Sequence, residues 1–282
     1  MVCRVQRLVE LIYRYNTVTG EKYIMETASH ELGVGKARGM PYLWVVYEDY
    51  AITDGVLRIR GEAKRRYVPM ANEKLPNVIA KLTPGKDKDV LEFARTYGHL
   101  GYQTMSGEGS SYPWCGGDPL AWIWAHAQTI DLCLRLTHFL QEPPDVYGLK
   151  AYLSSDAFPA QIARRGEVSL LRWSPDWSAI ELARFLRRTI INANIIEVRR
   201  TLDDIDGKDR TAFTFSALVE VAYWHLANAV DGGVVKRCEN EKCGAVFIQT
   251  DGRQRFCPPR YGQKESACAI HQRVKRYRHL KA

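Results

Sequence analysis

The stretch that decides how this chain is built is its last one, residues 237–282: RCENEKCGAVFIQTDGRQRFCPPRYGQKESACAIHQRVKRYRHLKA. Its four cysteines, Cys238, Cys243, Cys257 and Cys268, follow the spacing C-x4-C-x13-C-x10-C. Four thiolates drawn from separate turns satisfy a tetrahedral zinc ion. Cys238 and Cys243 bracket a short turn with Gly244 behind it. Ala245 to Ile248 has strand character. Asp251-Gly252 reads as a hairpin turn that returns the chain through Arg255-Phe256 to Cys257. So short a unit has almost no core, and bound metal is expected to supply about 10 kcal/mol of its folding free energy. The x10 spacer is longer than usual, which leaves two candidates for the fourth ligand, Cys268 and His271. Cys268 is favoured, because Ser266 makes a helix cap that sets the thiolate near the positive end of the helix dipole.

Charge converges on the same stretch. The chain has 282 residues, with 40 Lys+Arg against 32 Asp+Glu. Residues 236–282 hold 12 of the basic and 4 of the acidic residues, a net of +8, so residues 1–235 carry 28 of each and sum to zero. A uniformly basic coat is thereby excluded, and a neutral body with one basic end is expected. Beyond Cys268 the sequence carries Arg273, Lys275, Arg276, Arg278 and Lys281 with no acid. Ile270, Val274 and Tyr277 share one helix face, expected to pack on the hairpin or the body. Lys275, Arg276 and His279 project roughly opposite. Arg253, Arg255 and Arg260 add charge from the turn and spacer. Such an array neutralises phosphates, and Arg276 or Gln272 can reach base edges from a major groove. Helix-dipole complementation explains two or three of these cations, not nine against one acid from residue 253 onward.

Upstream, residues 1–15 have the spacing of a short amphipathic helix. Residues 42–47 and 56–60 read as strands joined by the turn Thr53-Asp54-Gly55. Residues 16–40 and 69–86 read as loops. Val90, Phe93, Ala94 and Tyr97 share the face of a helix that ends at Gly98. Asp118-Pro119 suggests a side-chain cap followed by proline at the first helical position, for a helix reaching about Gln141. Ser174-Pro175 suggests the start of the longest helix, extending toward Asp203 with the row Ile191, Ile195, Val198, Leu202. Residues 214–230 form a further apolar helix, ended by Gly232-Gly233. The expected fold is α+β: a mainly helical body over 1–235, with a strand-rich part within 40–70 and helices from about 87, then a zinc finger over 236–282.

The finger resembles the CGNR-type zinc fingers, treble-clef-like modules at the C-terminal end of bacterial transcription regulators. RCENEKCGAVF, RQRFC and the basic, tyrosine-containing CAIHQRVKRYR carry the resemblance, which covers about the last 45 residues. Asp89 to Tyr102 (DVLEFARTYGHLGY) is similar to a segment of the domain that accompanies such fingers. Two features depart from the pattern: Ala269-Ile270-His271 stands where Gly-Asn-Arg is usual, and residues 258–267 lengthen the last spacer. The resemblance implies DNA rather than RNA as partner, a treble-clef-like finger fold and a role in transcription.

The body offers less. Trp122, Trp124 and Trp224 lie on apolar helices and read as core. Trp114 and Cys115, in a loop, are candidates to line an effector site. His126, His138 and His225 have no partner at metal-ligand spacing and read as buried or edge histidines. Asp203, Asp204, Asp206 and Asp209 read as a solvated helix end. No nucleophile elbow, phosphate loop, His-Glu-x-x-His or dinucleotide fingerprint occurs. No catalytic residue is therefore expected, and one structural zinc is the cofactor. No run of 18 uncharged apolar residues exists, and Arg4, Arg7, Glu10 and Arg14 break up any signal-peptide core. Seven cysteines without a secretory signal argue against a disulfide framework and for the cytoplasm. The expected role is a non-enzymatic, DNA-binding regulator whose body senses a signal or dimerises. A protein-docking or RNA-binding adaptor is the alternative, and an enzyme that acts on nucleic acid is a weaker one.

Overall fold

Among the expected elements, the N-terminal hairpin is formed as its turn signal demands. The structure, a computed structural model, describes residues 43–102, 116–171, 176–205, 208–259 and 263–281. Strand β1 (Trp44–Thr53) pairs antiparallel with β2 (Val56–Tyr67). Asp54 and Gly55 both take positive φ, 52° and 71°, which is the two-residue turn that matches strand twist. Both strands run further than their apolar patterns indicate, because β2 continues through a charged, solvent-facing stretch. The expected helix 1–15, the loop 16–40, the Trp114-Cys115 pair and Ser174-Pro175 lie outside the described residues.

The segment 69–86, expected as loop, contains a single helical turn at Pro69–Ala71 and a short, wholly buried helix α1 (Leu75–Ile79). Helix α2 (Asp87–Tyr97) packs on β1 and stops at Gly98, whose φ of 92° and contact with Trp44 leave no room for a Cβ. Strand β3 (Asp118–Pro119) then pairs with the start of β2, and α3 (Leu120–Phe139) follows directly.

Asp118 does not cap α3. Pro119 holds the cap position without a side-chain bond. The Asp118 carboxylate, 1% exposed, instead accepts the backbone N–H groups of Leu100, Gly101 (3.2 Å) and Tyr102 (2.8 Å). Three converging buried donors outweigh one cap.

Helix α3 is the centre of the body. Trp122, Ile123, Ile130, Leu132, Leu134 and Leu136 are buried on all its sides. Around it stand α4 (Val146–Leu153), the hairpin of β4 (Gln161–Arg164) and β5 (Glu167–Leu170), α5 (Ala179–Asn194) and α6 (Leu218–Asp231). Helix α5 starts at a capping box, Ser178 with Glu181, a Ser-x-x-Glu signal legible in the sequence.

The long helix toward Asp203 is a correction: α5 ends at Asn194, and α3 is longer. The Asn194 amide is consumed by the carbonyls of Ile190 and Ala163 and by the N–H of Arg165. After four intervening residues the chain forms β6 (Arg199–Ile205), paired antiparallel with β7 (Lys208–Thr214). Asp206, expected in one acidic cluster with Asp203, Asp204 and Asp209, lies outside the described residues. Leu202, expected on an apolar helix row, is 77% exposed. The aspartates at 203, 204 and 209 therefore sit on a strand pair rather than a helix end.

The boundary expected at 235/236 falls inside strand β8 (Val235–Arg237), which pairs antiparallel with β9 (Val246–Ile248). This small hairpin packs on α3 and α1. Val235, Val246 and Ile248 belong to the main core. The cysteine-bearing end is thus docked into the body through its first hairpin. The architecture is a mixture of helices and small antiparallel sheets, with a cysteine cluster at the C-terminal end.

Candidate metal centre and basic helix

Alternation along three residues explains how one strand serves two cores. In β9, Val246 and Ile248 turn toward the body, while Phe247 between them points the other way and is 1% exposed. Phe247 joins Cys238 and Cys257 in a second, miniature core bordered by Cys243, Ala245, Phe256 and Cys268. Polar bonds fasten the docked side. Asn77, 2% exposed on α1, donates to the Ile248 carbonyl (2.9 Å) and accepts the Ile248 N–H (2.8 Å). It satisfies the free edge of β9 as a neighbouring strand would. Lys81 Nζ donates to the Pro258 carbonyl, and His138 Nδ1 donates to the Val235 carbonyl at 3.3 Å. None of these three was singled out as a finger contact from the sequence. A lone Asn inside the apolar run Leu75-Pro-Asn-Val-Ile79 is the signal that marks one of them.

The four thiols come from three places. Cys238 and Cys243 lie on the connection between β8 and β9. There Cys238 N–H donates to the Ala245 carbonyl and Cys243 N–H to the Asn240 carbonyl, both at 2.8 Å. Gly244, with φ of 62°, turns the chain back behind Cys243. The Asp251-Gly252 turn forms, closed by Gln254 N–H on the Asp251 carbonyl. Its return limb differs from the expected hairpin. Residues 255–257 lie beside Cys238 and Glu239 rather than pairing with 246–248, through Glu239 N–H on the Arg255 carbonyl and Cys257 N–H on Cys238 Sγ. Strand β8 has taken the pairing edge of β9, because Val235 can then be buried in the body.

Cys268 stands in the first turn of α7 (Ala267–Lys281). Ser266 caps that helix as expected: its Oγ accepts Cys268 N–H (3.2 Å) and its carbonyl accepts Ile270 N–H (3.0 Å).

All four Sγ atoms lie within 4.8 Å of one another. Cys243 and Cys257 Sγ are 3.8 Å apart, and Cys257 and Cys268 are 3.9 Å apart. A zinc–sulfur bond of about 2.3 Å sets tetrahedral sulfur–sulfur edges of about 3.8 Å. The donor set therefore fits a metal ion. His271 is exposed and is not among the converging donors. Burial raises the Cys238 thiol and pushes Cys243 up to about 12. At Cys268 burial works against the thiolate, but hydrogen bonds from Asn240 and then from the other thiols hold it below the ordinary thiol range. Metal entry would therefore displace protons from this cluster, and its affinity would fall as the pH is lowered.

The basic residues divide into three groups. Arg253, Arg255 and Arg273 are in ion pairs: Arg253 with Asp251 at 3.6 Å, Arg255 bidentate on Glu239, and Arg273 bidentate on Glu265 at 2.8 and 2.9 Å. Lys275, Arg276 and Arg278 are exposed on α7 and carry no ion pair among the described residues, while Gln272 is half-buried. Arg260 lies outside the described residues. The apolar face expected to pack inward is a correction: Ile270, Val274 and Tyr277 are 41%, 41% and 57% exposed. The first turn of the helix holds Ser266 and Cys268, and the three apolar side chains of the following turns stay exposed.

Of the three body histidines, His126 and His225 are buried and His138 is half-buried. His126 is fully buried, and the Arg165 carbonyl, which can only accept, fixes the proton on Nε2. Its Nδ1 then accepts from the Tyr223 hydroxyl at 3.0 Å. Burial lowers His126 to about 4 and also lowers His225. Trp122 is buried and donates to the same Arg165 carbonyl, and Trp224 packs on Phe213. Glu220, held by Ser216 and Ala217 and 3.5 Å from Arg165, is raised by burial.

Among the described residues, no helix is long and apolar enough to cross a membrane. No family model, curated protein or solved structure matches the chain.

Proposed function

We propose that this is a zinc-dependent DNA-binding regulator with a treble-clef-like finger of the CGNR type, and that it is not an enzyme. The observation that carries the reading is a four-thiol cluster at the base of a helix whose outer turns are exposed and cationic. The order knuckle, loop, capped helix supports a treble-clef-like unit. Cys238, Cys243, Cys257 and Cys268 would hold one zinc ion. Four protein ligands leave no position for a reacting water, so the metal's role is structural. Lys275, Arg276 and Arg278 meet phosphates, and Gln272 or Arg276 reads base edges. Arg255 and Arg273 contribute less than their charge suggests, because Glu239 and Glu265 neutralise them. The body acts in the cytoplasm as a sensing or dimerising unit.

Metal analysis of the purified chain should give one zinc per chain, with Cys238 and Cys257 shielded from alkylation. In a gel shift, Lys275→Ala with Arg276→Ala and Arg278→Ala should weaken DNA binding. It should also flatten the salt dependence by about 2.7 in log–log slope, at about 0.9 per phosphate contact. Absence of metal with freely alkylated thiols, or unchanged binding, would overturn the respective half of the reading. One observation favours the adaptor alternative: the exposed row Ile270, Val274, Tyr277 suits a protein surface. In that case binding to random DNA or RNA is negligible even at low salt.

A further inference from the structure

The 28 basic and 28 acidic residues of 1–235 cancel in sum but not in place. Residues 58–66 read RIRGEAKRR, five Lys+Arg against one Glu. Folding puts all nine on β2, and every residue from Arg60 to Arg66 is exposed. Strand β1 covers one edge of β2 along its length. Strand β3 covers the other edge only at Val56 and Leu57. Among the described residues the outer edge from 58 to 67 therefore has no neighbouring strand.

Two irregularities shape this edge. The pairing steps from Arg65–Val46 to Ala63–Tyr47, which leaves Lys64 as an extra, unpaired residue. A second step occurs at Gly61, where φ is 75°. Of the nearby acids, one is ion-paired away from this edge and another makes only a backbone hydrogen bond among the described residues. Asp49 is bound by Arg95 Nε and Nη2 at 3.1 and 2.9 Å, and that guanidinium holds its carboxyl below the usual range. Glu48 accepts the Glu62 N–H at 3.3 Å. Arg65 donates to the Thr96 carbonyl and lies over the Tyr67 ring, toward α2. Arg60, Lys64 and Arg66 carry no ion pair among the described residues.

Edge strands often carry a lysine to discourage strand addition. That accounts for one or two cations, not for five in nine residues with three in succession. Uncompensated cations on a strand edge that also bears backbone N–H donors fit an extended polyanion. From Arg60 to Arg66 the strand spans about 20 Å at about 3.3 Å per residue. That equals the axial rise of about six nucleotides of one DNA strand, at about 3.4 Å each.

We propose that the outer edge of β2 is a second, sequence-independent contact for the nucleic-acid phosphate backbone, separate from α7. This rests on the reading that the protein binds nucleic acid. The cations position the duplex and α7 reads it, the usual division between backbone and base contacts.

The test uses the full-length, zinc-loaded chain and random-sequence duplex DNA, with binding measured by fluorescence anisotropy across a salt series. Arg60→Glu, Lys64→Glu and Arg66→Glu are combined. Glutamate keeps the edge charged and guarded against strand addition, and a thermal melt checks the fold. Affinity should fall at least tenfold, and the salt slope should lose about 2.7 for three phosphate contacts. If the glutamate variant does not fold, the corresponding glutamine variant should lose the same slope. Wild-type binding with an unchanged slope in the folded variant overturns this contact and leaves the functional reading standing. A wild-type chain that binds neither DNA nor RNA at low salt overturns that reading and this contact together.

Discussion

Replacing Asn77 by alanine tests whether the metal-binding end and the body form one cooperative structure. The Asn77 amide makes two hydrogen bonds to Ile248, at 2.9 and 2.8 Å, and is 2% exposed, so water cannot replace it without opening the interface. Alanine orphans one buried carbonyl and one buried N–H. At about 2 kcal/mol for each, the loss is about 4 kcal/mol. In a chain of this size that lowers Tm by about 8–16 °C. The effect should reach the thiols, because Cys238 and Cys243 are carried on the connection that β9 closes. If a third of the loss is passed to the cluster, zinc transfer to a chromophoric chelator speeds up about tenfold. Asn77→Asp is a useful companion. It keeps an acceptor for the Ile248 N–H, loses the donor and sets a carboxylate against a carbonyl, so it should be no better than alanine. Thermal melts and chelator competition on both variants make the measurement. A Tm within 1 °C of wild type, with unchanged zinc release, would refute the clamp and show that the hairpin folds independently of α1.

Three further outcomes follow from the same packing. Below about pH 6.5 the unfolded chain takes a proton at His126 that the buried ring refuses until about pH 4, so stability falls as pH drops through that window and is full above it. The loss is on the order of 3 kcal/mol, and His225 adds in the same direction. Urea titrations from pH 4.5 to 7.5 should show a shallower acid slope for His126→Gln, and equal slopes would contradict the assignment. Asp118→Ala leaves the N–H groups of Leu100, Gly101 and Tyr102 without their acceptor and should cost about 3 kcal/mol or more, read by urea unfolding. Removing residues 236–282 takes Val246 and Ile248 out of the main core and should leave a body that binds a hydrophobic dye and aggregates. A monomeric, dye-silent remainder would restore the picture of a severable finger.

Several features were legible because they depend on neighbours in sequence. The Asp54-Gly55 turn, the stop at Gly98 and the Ser266 cap each involve groups within a few residues of one another. Local geometry leaves them little choice. Asp118 looked like a helix cap because its near neighbours are a proline and an apolar run. Its actual partners lie 16 to 18 residues upstream. The run Ile195, Val198, Leu202 fits a helical row, yet only Leu202 of the three ends in regular structure, on strand β6. The helix ends at Asn194, whose side-chain amide ties that end to the Ala163–Arg165 segment, a contact between residues about 30 apart in sequence.

What the sequence determined by itself was the chemistry of the C-terminal end: four thiols, a capped helix and a concentration of positive charge. Only the tertiary structure decided how that end relates to the rest. Val246 and Ile248 needed a core of their own size to be buried, and the finger is too small to supply one. The body's α1 and α3 supply it, with Asn77 closing the open strand edge. The same folding left Ile270, Val274 and Tyr277 on an exposed side of α7, whose first turn carries the cap and the cysteine. The net zero of residues 1–235 concealed a basic strand for a similar reason. A sum over sequence has no position, and the pairing with β3 stops at Leu57, which leaves Arg60, Lys64 and Arg66 on an edge that is open among the described residues.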